Sequence, residues 1–140
     1  MSQPLAGLRM LDLTHMLSGP YGGMILADLG AETIKIEPLR GEGTRKLLAT
    51  DPNNSLNGMG AYYLTLNRNK KSVLIDLKTD QGLGVFKDLV AKSDIVISNF
   101  GAGVPERLGI DYKSLSNVNP RIITCTVSGF GSDGPGSRRP

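Results

Sequence analysis

Apolar positions recur in short runs along the chain, and the runs alternate between two periods. Leu8–Leu13 alternates apolar with polar residues and turns fully polar at Thr14-His15, which predicts a first strand. Gly19-Pro20 then opens a helix, with Pro20 in the first turn, where no backbone donor is lost. Tyr21, Met24, Ile25 and Leu29 supply its expected apolar stripe, and Gly30 is a natural terminator. Thr33–Glu37 reads as the second strand. Pro38–Gly60 is rich in Gly, Asn and Pro and reads as one long irregular segment, a length that usually marks function or a covering partner. Tyr62–Leu66 fits a short strand or a helical turn equally well.

Ser72–Leu77 predicts a third strand. Thr79 or Asp80 caps a helix running through Lys92, with Leu83, Val85, Phe86, Leu89 and Val90 as its apolar face. Asp94–Asn99 is the fourth strand, Val104–Leu108 a short helix ending at Gly109, and Tyr112–Val118 another. Arg121–Val127 is the fifth strand, leading into Gly129-Phe130-Gly131. Strands alternating with helices predict an α/β fold: a Rossmann-like parallel sheet with helices on both faces. Strands two, four and five carry apolar runs suited to burial on both sides.

Composition narrows the class. A chain of 140 residues fits one domain, residues 1–140, with enough length for a real core. A net charge of +3 permits an anionic ligand. Aromatic content of 5%, without Trp, supplies few stacking platforms, and the basic residues are spread along the chain with no block of five or six, so no nucleic acid is expected as partner. No apolar run approaches membrane-spanning length and no signal peptide is visible, so the expectation is a cytoplasmic protein without a membrane partner. The single cysteine, Cys125, lies in an apolar run and reads as a buried core thiol. After the fifth strand the chain runs to Ser137-Arg138-Arg139-Pro140 with no closing helix, so it reads as the front part of a larger enzyme.

In open parallel sheets, ligands sit outside the carboxyl ends of the strands. Four loops there are unusual: Thr14–Pro20, Glu37–Arg40, Leu77-Lys78 and Asn99–Gly103. They offer backbone donors, a helix N-terminus and cationic side chains, which suits a phosphorylated ligand. Glu37 stands where a ribose-binding acid would, but Gly19, Gly22 and Gly23 do not form the dinucleotide fingerprint, which speaks against nicotinamide or flavin. One His and one Cys make no zinc site, and Ser18 has no visible base. His15 reads as structural or catalytic. Asp12 and Asp76 are as readily satisfied by backbone donors as chemically active. Arg68-Asn69-Lys70-Lys71 is either a solvated turn or a phosphate contact.

Taken as a set, these loops resemble family III CoA-transferases, the CaiB/BaiF family with its formyl-CoA transferase-like members. The resemblance rests on Leu5–Thr14 with Ser18-Gly19-Pro20, on Leu26–Pro38, and on Asn67–Ser72 with Asp76-Leu77-Lys78. Ser98–Gly103, Arg107-Leu108-Gly109, Asn119-Pro120-Arg121 and Gly129-Phe130-Gly131 complete it. It covers essentially the whole chain and implies the N-terminal part of the large CoA-binding α/β domain of that fold. The activity implied is transfer of coenzyme A from an acyl-CoA donor to a free carboxylic acid, with acyl-CoA as substrate and no tightly bound cofactor. The binding positions implied are His15, Met16, Leu17 and Ser18, then Ile75, Asp76, Leu77 and Lys78, then Asn99, Phe100 and Gly101, and Arg107. Formyl-CoA transferase-like members have Arg directly after the acid that ends strand two; here Pro38 holds that place and Arg40 takes over the contact.

The family's nucleophile is an aspartate, which the resemblance places after the glycine-rich turn Gly129–Gly136 and beyond this chain. Asp133, inside the turn, is not assigned that role, so no residue here is assigned as catalytic. Two alternatives stay open. An acyl-CoA racemase of the same superfamily would show Pro-Phe-Arg where this chain has Asn99-Phe100-Gly101. A CoA-binding subunit without catalysis of its own would bind without turnover. Family resemblance also implies an interlocked homodimer, or a heteromer of related subunits, at full length.

Overall fold

The structure is a computed structural model that describes residues 3–131, 134–137 and 139. Asp133 and Arg138 therefore lie outside the described residues. In chain order the elements are β1 (Arg9–Asp12), α1 (Ser18–Asp28), β2 (Glu32–Glu37), a 3-10 turn (Gly43–Arg45), β3 (Ser55–Leu56), β4 (Met59–Gly60) and α2 (Ala61–Leu66). They continue with β5 (Lys70–Leu74), α3 (Asp80–Val90), β6 (Ile95–Ser98), α4 (Val104–Leu108), α5 (Tyr112–Ser116) and β7 (Ile123–Thr126).

Five strands form one parallel sheet in the order β5-β2-β1-β6-β7. The order reverses between β1 and β6, and the carboxyl ends beside such a reversal open into a crevice. The two faces of the sheet differ. Leu11 and Leu13 of β1 and its following loop, Ile36 of β2 and Val96 of β6 meet Phe86 and Val90 of α3, Leu115 of α5, Ile75, Ile110 and Ile122 in one apolar core. Each large apolar side chain buried there contributes about 1.5–3 kcal/mol. The alternate strand positions bury polar groups instead: Asp12, Thr33, Lys35 and Glu37 are all at most 2% exposed. A Cβ on Gly23 of α1 would come within 2.8 Å of Asp12 Oδ2, so this glycine admits the helix onto that polar face.

The segment 38–60 is not wholly irregular. It holds the 3-10 turn and the β3–β4 hairpin, and Tyr62–Leu66 resolves as the helix α2. Three expectations need correction. The third strand begins at Lys70 and ends at Leu74, because its partner β2 pairs Thr33 with Lys70 and stops at Glu37 opposite Leu74. The α1 stripe is turned: Gly19, Pro20, Gly23, Met24 and Ala27 are buried, while Tyr21, Ile25 and Leu29 are 40–52% exposed. Small residues let α1 sit close to a polar sheet face, so its bulky apolar residues point outward. Cys125 is exposed, not buried, because β7 is an edge strand on which Ile123, Cys125 and Thr126 all remain uncovered.

Candidate active-site cleft

The loops at the carboxyl ends of β1, β2 and β5 enclose a cleft of about 590 Å³. Its walls come from Leu13–Met16, Ile36–Glu37, Pro38, Arg40–Gly43, Lys46, Ile75–Lys78, Phe100 and Leu108. Of the predicted binding residues it brings together His15, Met16, Arg40, Ile75, Asp76, Leu77, Lys78 and Phe100. Ser18, Asn99 and Gly101 line a second cavity of about 910 Å³ that runs toward β7, and Phe100 lines both. Leu17 and Arg107 are exposed and line neither.

The β1–α1 loop is held residue by residue. Asp12 Oδ1 accepts from Thr14 N at 2.8 Å and from Thr14 Oγ1. Lys35 Nζ donates to Thr14 O at 2.7 Å. Asn99 Oδ1 accepts from His15 N and Asn99 Nδ2 donates to His15 O, while the His15 and Phe100 rings lie 5.8 Å apart. Glu42 Oε1 accepts from Met16 N at 3.1 Å. Met16 has φ 68°, a left-handed conformation that costs a side-chain-bearing residue about 1–2 kcal/mol. No side chain caps α1 at Leu17; of its first three residues, Ser18 is exposed, Gly19 is buried and Pro20 has no N–H.

Beneath the loop lies an ion pair. Lys70 Nζ donates to Asp12 Oδ2 at 2.7 Å, with side chains 1% and 0% exposed, and also to Pro20 O and Asn67 Oδ1. Burial pushes the Lys70 ammonium down, against the pull of the Asp12 charge. The basic cluster is largely the solvated turn: Arg68 and Asn69 form an exposed turn and Lys71 is exposed, with Arg68 paired to Asp28 and Lys71 to Glu32, while Lys70 alone turns inward to Asp12.

Glu37 is likewise committed. Arg45 grips its carboxylate with two nitrogens at 2.7 Å, Ser72 Oγ, Tyr63 Oη and Glu42 N donate to it, and its side chain is fully buried. Burial alone would raise this carboxyl; the bonds from Arg45, Ser72 and Glu42 N, with the Arg45 charge, outweigh it and hold it at about 2. Arg45 also lies 4.0 Å over the Tyr63 ring. Glu37 thus has no free oxygen for a ribose. Arg40, Lys46 and Lys78, by contrast, are exposed on the cleft and make no salt bridge among the described residues. Neither Arg45 nor Lys46 stood out in sequence, since both sit in a segment without periodicity. Asp76 Oδ1 accepts from Lys78 N at 3.0 Å, which folds the Asp76–Lys78 turn over the cleft.

A long, partly apolar cleft with cations at its rim fits an extended ligand carrying several negative charges. The profile of CoA-transferase family III matches residues 5–140. The chain belongs to this family. It is 44% identical to the acetyl-CoA:oxalate CoA-transferase of Acetobacter aceti, over 94% of the chain and 33% of that protein. It is 42% identical to a succinyl-CoA–L-malate CoA-transferase alpha subunit of Chloroflexus aurantiacus, over 97% of the chain and 31% of that subunit. A crystal structure of a CaiB/BaiF family protein from Brucella suis superimposes with a TM-score of 0.91 at 39% identity, covering 99% of the chain and 37% of that structure. The chain spans about a third of the length of the curated relatives it matches. The parallel α/β fold of this family is what the sequence predicted. Among the described residues, no helix is long and apolar enough to cross a membrane.

Proposed function

We propose that the complete protein is a CoA-transferase that moves coenzyme A from an acyl-CoA donor to a free carboxylic acid, and that the cleft binds the CoA moiety. The observation that carries this reading is the convergence, on one cleft at the carboxyl ends of β1, β2 and β5, of His15, Met16, Arg40, Ile75–Lys78 and Phe100. Arg40, Lys46 and Lys78 would neutralise phosphates, and the apolar walls at Leu13, Leu77 and Leu108 would take the ligand's carbon skeleton. Asn99 anchors the opposite loop, and Arg107 would reach the ligand from its exposed place on α4. Acyl-CoA acts as substrate, with no tightly bound cofactor.

The covalent step belongs to an aspartate outside residues 1–140. Its carboxylate attacks the thioester carbonyl, forming an acyl anhydride and releasing CoA thiolate. The thiolate attacks the aspartyl carbonyl, giving an aspartyl thioester and free acid. The acceptor carboxylate then attacks the aspartyl thioester carbonyl, displacing the thiolate and forming a second mixed anhydride. The thiolate attacks the acceptor's acyl carbonyl, giving the new acyl-CoA and releasing the aspartate carboxylate. Asn99-Phe100-Gly101 and the names of the relatives favour transfer over racemisation. An alpha subunit among those relatives supports a heteromer as the second assembly beside an interlocked homodimer. We place the protein in the cytoplasm, where an exposed Cys125 stays reduced.

The test is an exchange assay on the complete protein, with acyl-CoA and a panel of carboxylic acids. Formation of the acceptor's CoA ester, and trapping of the aspartyl thioester by hydroxylamine, are expected. Tight CoA binding without turnover would turn the reading to a non-catalytic subunit, and proton exchange beside the thioester to a racemase.

A further inference from the structure

We propose that Glu42 is a positioning residue for this cleft: its carboxylate holds Met16 in the left-handed conformation that shapes the β1–α1 loop. The inference rests on the CoA reading of the cleft. Met16 is the one residue of that loop in the left-handed region, and it carries a long side chain where glycine would be at ease. The residue is 55% exposed and lines the cleft, so packing does not account for its backbone. What holds it is the bond from Met16 N to Glu42 Oε1 at 3.1 Å, between residues 26 apart in sequence.

Glu42 is poorly suited to touching an anionic ligand itself. It is 5% exposed, and both oxygens are engaged: Oε1 by Met16 N and Thr44 N, Oε2 by Thr44 Oγ1. A carboxylate in the wall of a polyanion's cleft works against binding unless it acts through a neighbour. Glu42 N in turn donates to Glu37 Oε2, the acid gripped by Arg45. The loop after β2 thereby fixes the loop after β1, and a rigid segment sets the shape of the amides that follow Met16.

The complete protein gives the test. KM for acyl-CoA and kcat are measured for Glu42→Ala and Glu42→Gln, alone and combined with Met16→Gly, and exchange of the Met16 amide hydrogen is followed without ligand. Losing this bond raises KM about tenfold in Glu42→Ala, with kcat changed less than about threefold. Gln keeps the acceptor, so Glu42→Gln stays within about threefold of wild type and protects the Met16 amide. In the Met16→Gly background, where glycine takes the same φ unaided, Glu42→Ala costs less than about threefold. Equal damage from Gln and Ala, an equal cost in both backgrounds, or an unprotected Met16 amide in wild type overturns the proposal. Should Glu42→Ala not fold, the Gln variant and the wild-type amide decide. A protected Met16 amide in a protein without acyl-CoA affinity supports the hold on the loop and refutes the CoA reading instead.

Discussion

The side-chain amide of Asn99 closes on both main-chain groups of His15, accepting from its N–H at 2.9 Å and donating to its carbonyl at 2.7 Å. This clasp joins the loops that follow β1 and β6, the two strands at which the sheet order reverses. It requires one donor and one acceptor a fixed distance apart, which asparagine supplies and aspartate does not. Asn99→Asp leaves the His15 carbonyl facing another acceptor, at a cost of about 1–3 kcal/mol. Thermal unfolding and KM for acyl-CoA are both expected to worsen. An unchanged KM in a folded Asn99→Asp protein would show that the clasp does not shape the cleft.

The Asp12–Lys70 pair sits entirely inside the molecule, between β1 and the start of β5. Removing one partner strands a buried charge, so Lys70→Met is expected to destabilise by about 3–5 kcal/mol. Combining it with Asp12→Asn removes that stranded charge and restores part of the loss, since Asn still accepts from Thr14 N. Denaturant unfolding of the two single variants and the double variant gives the coupling. Additive losses would mean that the two side chains act separately.

Acid stability carries the signature of Glu37. Its folded carboxyl lies at about 2, below the usual 4.5. A depressed carboxyl stabilises fully above its unfolded value and loses that contribution as pH falls through the folded one. Stability is therefore expected to fall progressively as pH drops below 4.5 toward about 2. Glu37→Gln, which cannot titrate, removes this limb: its unfolding free energy is lower at neutral pH but changes less between about pH 6 and pH 3. A variant with the same acid slope as wild type would place the effect elsewhere.

The five sheet strands and the helices α1, α3, α4 and α5 were legible in type and order because the period of the apolar runs carries them, whereas the 3-10 turn, the β3–β4 hairpin and α2 have no such period. The polar positions of the second strand were legible only in part. Thr33, Lys35 and Glu37 alternate with Ile34 and Ile36 in a strand read as buried on both sides. Helices on both sides of the sheet imply that they are buried and partnered, as Lys35 on Thr14 O and Glu37 on Arg45 prove to be. The partners themselves come from distant segments, which no local pattern announces. The same holds for Lys70, whose basic neighbourhood suggests a turn until pairing with β2 draws it inward. Cys125 misleads in the opposite way: its apolar run suits burial, but an edge strand is covered only where something packs on it.

Two adjacent glycines of α1 separate helix propensity from packing. Gly22 is exposed, and a Cβ there meets nothing within 4 Å. Gly22→Ala is therefore expected to gain about 0.5–1 kcal/mol from propensity alone. Gly23→Ala gains the same propensity, but its Cβ would stand 2.8 Å from Asp12 Oδ2, 3.0 Å from Ile97 Cδ1 and 3.3 Å from Lys70 Nζ. The carboxylate cannot yield without loosening its bonds to Thr14 and Lys70, so relief must come from lifting the helix off the sheet. Lifting α1 also moves Pro20, whose carbonyl accepts from Lys70, and with it the β1–α1 loop whose His15 and Met16 line the cleft. Gly23→Ala is expected to destabilise by about 1–3 kcal/mol and to raise KM for acyl-CoA, while Gly22→Ala raises stability and leaves KM unchanged. Thermal unfolding and steady-state kinetics on the two variants distinguish the cases. A stabilising Gly23→Ala would mean that α1 does not rest on the ion pair as closely as the structure places it.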